Sequence, residues 1–259
     1  MDVAAVLELQ RRALAAWIRT MAHASPGGAV FEREGVIAAV IPACPERSLV
    51  NCVVFRDARV LGDSLGELTA AYRRAGVRAW TVWVPDHQRE AISLLEEAGH
   101  AFDGEPAAMY LDLSQLTPLD PGDLDWDREA TAAEVGHVND LAYGYGPGEG
   151  PGAAIGHGPQ DIPSHLYRAW VGGELASVLQ AIDVGEDCFI TFVATYERFR
   201  GRQLASRLLG VALAEARERG LRSSTLQSSM LGRGVYERLG YRVACRLQLY
   251  EKREPEARG

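Results

Sequence analysis

Lysine is all but missing from this 259-residue sequence. Lys252 is the only one, so arginine carries nearly all the positive charge. That skew follows from a GC-rich coding sequence as readily as from function, and the clustering of the arginines says more than their number. Acids outnumber bases by 35 to 27, giving a net charge of −8. Such a balance argues against nonspecific attachment to nucleic acid or to an anionic membrane. No apolar run approaches the length of a membrane span. The opening stretch, MDVAAVLELQRRALAAWIRTM, is amphipathic and broken by charge. It lacks the basic start and unbroken apolar stretch of a secretion signal, and a cytoplasmic location is the expectation. The four cysteines, Cys44, Cys52, Cys188 and Cys245, form no C-x-x-C pair. Their scatter points to buried reduced thiols rather than a disulfide frame or a metal site. Ligand spacing is missing among the six histidines as well, with His157 and His165 isolated by glycine and proline, so no metal is expected.

What is present is a core-forming composition, 47% apolar, which excludes wholesale disorder. Residues 114–125, SQLTPLDPGDLD, follow the strand-like AMYLDL and carry the prolines, glycine and acids of a boundary. The expected division is therefore 1–119 and 120–259. In the second part, Ala132, Val135, Val138, Leu141 and Ala142 make a helical stripe within 128–142. The run 142–161 is too rich in glycine and proline for a regular helix and reads as a mobile loop or a broken helix. LYRAWV and LASVLQAID flank a GGE turn as a hairpin. CFITFVAT is a β-run, and a helix from about Gln203 to Arg219 stops at Gly220. STLQSS is a strand, and a second helix from about Leu231 to Leu239 stops at Gly240. RVACRLQLYEK closes the chain as one or two strands. The first part repeats this grammar: helix 65–75 and Gly76, strand RAWTVWV, helix 88–98 and Gly99, strand AMYLDL.

The segment FVATYERFRGRQLASRLLGVALAEARERG carries the chemistry. A β-run ends near Thr195, a loop holds Arg198, Arg200 and Arg202, and a long helix follows with Arg207 one turn in. The free N–H groups and partial positive charge of a helix start, joined to arginines, suit a pyrophosphate. Arginines also crowd ordinary solvated helix starts, so physics alone leaves both readings open.

FRGRQLASRLL resembles motif A of the GCN5-related N-acetyltransferases, whose loop usually reads R-G-x-G-x-G/A. By that resemblance Arg200, Gly201, Arg202, Gln203, Leu204, Ala205 and Ser206 would grip the CoA pyrophosphate through backbone amides. Gln203 departs from the pattern, standing where glycine is usual. Downstream, TLQSSMLGRGVYERLGYRV resembles motif B through Tyr236, Gly240 and Tyr241. The resemblance gives Tyr236 the task of protonating the departing thiolate, whereas by itself it reads as a packed helix tyrosine. Phe192, Val193 and Thr195 fall where the family's strand contacts pantetheine. Asp187 and Glu186 lie near where some relatives keep a base, and read equally as turn acids. Tyr143 and Tyr145 begin the glycine-rich segment that in the family lies over the acceptor, and read otherwise as tyrosines capping the core.

The resemblance implies an α/β fold of two halves, each a mixed, mostly antiparallel sheet flanked by helices. In the first, FRDARVLGDSLGEL lacks the phosphate loop and Leu95 falls where Tyr236 stands, so 1–119 resembles a degenerate copy and 120–259 the catalytic one. The implied reaction is direct transfer of an acetyl or other short acyl group from acyl-CoA, with acetyl-CoA as cosubstrate, to a primary amine of a small molecule. A non-catalytic acyl-CoA-binding module and a protein N-acetyltransferase are the alternatives, and a homodimer is compatible with the sequence.

Overall fold

Asp2 opens the first helix by accepting a hydrogen bond from the Ala5 amide at 2.7 Å. This helix, α1 (Val3–Ala24), buries Val6, Gln10, Leu14, Trp17, Ile18 and Met21 at helical spacing. The computed structural model describes residues 2–117, 119–146, 150, 152, 162–230 and 232–254. Strands β1 (Ala29–Arg33), β2 (Val36–Val40) and β3 (Cys52–Phe55) come next, followed by α2 (Ala58–Arg74) and β4 (Ala79–Pro85). Then come α3 (Arg89–Glu97), β5 (Ala101–Gly104), β6 (Ala107–Asp112) and β7 (Asp125–Asp127). The second half continues with α4 (Ala132–Ala142), β8 (Ser164–Val171), β9 (Glu174–Val184) and β10 (Asp187–Thr195). It ends with α5 (Leu204–Glu218), β11 (Ser223–Ser228), α6 (Arg233–Arg238) and β12 (Arg242–Arg253). The glycine-rich run 142–161 is described only to Gly146 and at Gly150 and Gly152. Its reading as a mobile loop or broken helix therefore lies outside the described residues.

The strands form one mixed, mostly antiparallel sheet in the order β1-β2-β3-β4-β12-β6-β11-β10-β9-β8-β7, with β5 also paired to β12. Two strands stitch the halves together. β6 lies antiparallel to β11 from Ala107↔Ser228 to Asp112↔Ser223, although 114–125 separates them in sequence. β12 pairs with β6 over Arg242–Arg246 and then with β4 over Leu247–Arg253. The closing RVACRLQLYEK is thus one strand at the middle of the sheet, joining β6 to β4.

Helices cover both faces. In β2, the alternate residues Ile37 and Ala39 pack under α1, while Val36, Ala38 and Val40 pack under α2 and α3. In β9, Val178 and Ile182 join the α1 side while Leu179 and Ala181 join the α5 side. α1 spans the joint, contacting β2 and β3 as well as β9, β10 and β11. Gln10 fixes it there, donating from Nε2 to the carbonyls of Met109 (2.9 Å) and Leu226 (3.0 Å) on the paired β6 and β11.

α2 begins at Ala58, seven residues before the stripe seen in the sequence. Asp57 is its N-cap, accepting from the Val60 amide at 3.0 Å. The stretch taken as the first half's counterpart of a phosphate loop is therefore helix, and an acid already covers its first amides.

Candidate active site

β10 and β11 are parallel over only three residue pairs, Asp187↔Ser223 to Phe189↔Thr225. Beyond them β11 stays with β6, while β10 bulges between Thr191 and Ala194 against β9. Phe192, in the bulge, has φ +49°, a backbone conformation costing about 1–3 kcal/mol for a residue of this kind. The divergence opens a cavity of about 250 Å³ between the strands.

Ile190, Thr191, Phe192 and Val193 line it from β10, and Tyr236 from α6. Gln227 and Ser229 border it at the end of β11. Tyr143 and Tyr145, following α4, complete one side, and the Tyr143 hydroxyl stands 3.5 Å from the Val193 carbonyl. Tyr236 is 9% exposed, and its ring meets that of Tyr241 edge-on at 5.9 Å. Burial pushes its phenol well above the usual range, so it remains protonated at neutral pH. Tyr241 is a fully packed partner, its hydroxyl 2.6 Å from Ser224. Thr195 is at the end of β10, where its hydroxyl meets that of Ser177 at 2.8 Å, away from the cavity wall.

The loop before α5 lies beside a second, open depression of about 450 Å³ lined by Gly201, Arg202, Gln203 and Arg207, with Leu119 and the acid Asp120 on its far side. Gly201 has φ +80° and Gln203 φ +59°, so both adopt the left-handed turn into the helix. No side chain caps α5. The amides of Leu204, Ala205 and Ser206 begin the helix, while the Leu204 side chain is buried in the core beneath. The arginines divide. Arg200 donates to the Ala142 carbonyl at 2.6 Å, and Arg198 pairs with Glu174 at 2.9 Å. Arg207 binds the Pro121 carbonyl and, at 2.7 Å, Asp123. Arg202 lies over the Phe199 ring at 5.7 Å and forms no ion pair among the described residues. It is the arginine left to meet an anion.

Neither candidate base stands on the cavity wall. Glu186 is exposed and pairs with Arg222 at 3.2 Å. Asp187 is 1% exposed and accepts from the hydroxyls of Ser223 (2.6 Å) and Thr225 (2.5 Å) across the strand pair. It bolts β10 to β11 just before they part. Burial outweighs the two hydroxyls and lifts its carboxyl to about 6. A carboxyl raised on folding stabilises below its unfolded value and loses that contribution as pH climbs through the folded one. Asp187→Asn should therefore make the protein more stable at pH 7.5, by at most about 3 kcal/mol for a shift of roughly two units. The difference should fade towards pH 4. Urea melts across that range test it, and a constant loss at every pH would mean that the two hydroxyl bonds outweigh burial.

The cavity also contains residues that the sequence did not mark. Leu14 and Trp17 come from α1, Leu49 and Val50 precede β3, Trp83 is in β4 and Asn139 in α4. Strand pairings between distant parts of the chain bring Leu14, Trp17, Leu49, Val50 and Trp83 to Tyr236, and the packing of α4 on β10 brings Asn139. No motif or local spacing signals them.

Residues 148–241 match the Acetyltransferase (GNAT) family. No curated protein matches the sequence. Among solved structures, a GCN5-related N-acetyltransferase from Kribbella flavida aligns with a TM-score of 0.67 at 14% identity, over 95% of this chain and 96% of its own. A GCN5-related N-acetyltransferase from Sphaerobacter thermophilus aligns with a TM-score of 0.58 at 16% identity, over 93% of each chain. A tandem GNAT protein from the clavulanic acid biosynthesis pathway also aligns at 0.58 with 14% identity, over 93% of this chain and 95% of its own. The second half thus carries the match to an acetyltransferase family, and the chain as a whole has the fold of the GCN5-related N-acetyltransferases.

Proposed function

We propose that the chain is an acyl-CoA-dependent N-acyltransferase that moves an acetyl or other short acyl group to a primary amine of a small molecule, both substrates being bound together. The observation that carries this reading is the Tyr236 phenol on the wall of the cavity where β10 leaves β11. Acetyl-CoA fits the residues present. The uncapped first turn of α5, with Arg202 beside it, would hold the pyrophosphate. The freed edge of β10 around Phe192 and Val193 would take pantetheine amides, as an added strand would. Thr195, beyond the bulge, would continue that edge.

An amine attacks the thioester carbonyl only with its lone pair free. As the C–N bond forms and the C–S bond breaks, the phenol gives its proton to the departing sulfur, and the proton shed by the new amide nitrogen passes through solvent to restore the phenol. Tyr236 is kept protonated for this by burial. The cavity is at the small end of ligand sites, which favours a small acceptor over a protein segment.

Thiol release from acetyl-CoA, measured with a panel of primary amines beside a calorimetric CoA titration, tests the reading. Amine-dependent release with one CoA per chain is expected. CoA binding without release under any amine would make the chain a non-catalytic binding module, and the absence of both would end the proposal.

A further inference from the structure

Among the described residues, charge is missing from the cavity wall. The side chains that border it are apolar, aromatic, hydroxyl or carboxamide, with no carboxylate or guanidinium among the described residues. Two cations stand behind the wall: Arg47, stacked on the Tyr145 ring at 4.6 Å, and Arg200, bound to the Ala142 carbonyl next to Tyr143. An acceptor bearing a second ammonium would lose its hydration here with no counter-charge among the described residues. Polyamines and amino sugars with several charges are poor occupants for that reason.

The wall is aromatic where the first half meets the second. Trp17, 8% exposed, faces Phe192 with ring centroids 6.2 Å apart, and Trp83 and Leu49 border the same space. Among the described residues, the indole nitrogens of Trp17 and Trp83 are buried on this wall without a partner, and a carboxamide stands beside them. Asn139 lines the cavity, is 7% exposed, and its carboxamide makes no hydrogen bond among the described residues. Its oxygen faces the cavity without a protein donor and can accept from a bound one. Asn139 is one helical turn before Tyr143, on the same side of α4.

We propose that the acceptor is a primary amine on a short, ring-bearing hydrophobic body, its ring seated against Trp17, Trp83 and Leu49 and its amino group oriented by the Asn139 oxygen. This rests on the reading of the cavity as an amine acyltransferase site. The first half then has a task without any CoA site of its own: it builds the acceptor end. An uncharged wall also favours the neutral amine, which is the form that attacks.

The test uses the full chain with acetyl-CoA and three probes: 2-phenylethylamine, spermidine and a short lysine peptide. Catalytic efficiency for 2-phenylethylamine should exceed that for the other two by about a hundredfold or more, the ratio expected from about 3 kcal/mol of uncompensated charge. Asn139→Leu should raise the KM for 2-phenylethylamine about tenfold or more while leaving CoA affinity within a few-fold. Leu49→Glu, at a position 38% exposed, should turn preference towards spermidine, a gain that misfolding cannot produce. Binding of 2-phenylethylamine without CoA, followed by tryptophan fluorescence, gives a readout independent of transfer. Preferred turnover of spermidine or peptide would overturn the proposal and leave acyl transfer standing. Absence of CoA binding and thiol release would remove the enzymatic reading instead, and the fluorescence titration would still decide the occupant: saturable binding abolished by Leu49→Glu supports it, and no binding overturns it.

Discussion

Tyr236→Phe should lower turnover by roughly ten- to ten-thousand-fold, the range for losing assistance to proton transfer, and should change CoA affinity far less. The substitution removes one oxygen and keeps the ring. The ring is what packs: it lies edge-on to Tyr241, itself held by Ser224, and belongs to the core beneath α5. Removing the hydroxyl leaves that packing intact, and the hydroxyl makes no hydrogen bond to protein among the described residues that would be orphaned by its loss. The effect should therefore appear in the chemical step alone. Single-turnover thiol release at saturating amine isolates that step from product departure. An unchanged rate there would take Tyr236 out of the mechanism, whatever the steady-state constants did.

The second half was legible because its signals are local. The β-run, the arginine loop, the helix ended by Gly220 and the helix ended by Gly240 appear as β10, α5 and α6 within a few residues of where the sequence put them. Tyr236, Phe192 and Val193 line one cavity with Tyr143 and Tyr145. The first half was harder for identifiable reasons. Gly62 and Gly66 sit inside α2 and blur its period, so the sequence shows the stripe from Leu65 and hides the start at Ala58 that Asp57 caps. β2 and β3 are short and buried on both faces, without the alternation that marks a strand facing water, and β1 is a short, largely exposed edge strand. The exchange made by β6 and β12 depends on pairings far apart in sequence. So do the acceptor-side walls from Trp17, Leu49, Trp83 and Asn139, which no local pattern encodes.

The loop before α5 should answer two substitutions in opposite directions. Gly201 has φ +80°, and a Cβ built on it meets no protein atom within 4 Å. Gly201→Val is thus strained by its backbone alone, at about 1–3 kcal/mol, while its added methyls enter open space where a phosphate would lie. Together these should weaken CoA binding by roughly thirty- to a thousand-fold, or about 2–4 kcal/mol, without unfolding the chain. A bulky residue at Ala205, in the first turn of α5, should act the same way by holding phosphate oxygens off the free amides. Gln203 presents the reverse case. It occupies φ +59°, the conformation that the glycine usual at this point would adopt without strain. Gln203→Gly should raise stability by about 1 kcal/mol in urea melts and should leave CoA affinity equal or improved, unless the carboxamide itself donates to phosphate. α2, whose first amides are already taken by Asp57, offers no second such site. Calorimetry of the wild-type chain should therefore count one CoA, and two equivalent sites per chain would overturn the assignment of the pyrophosphate to residues 200–206.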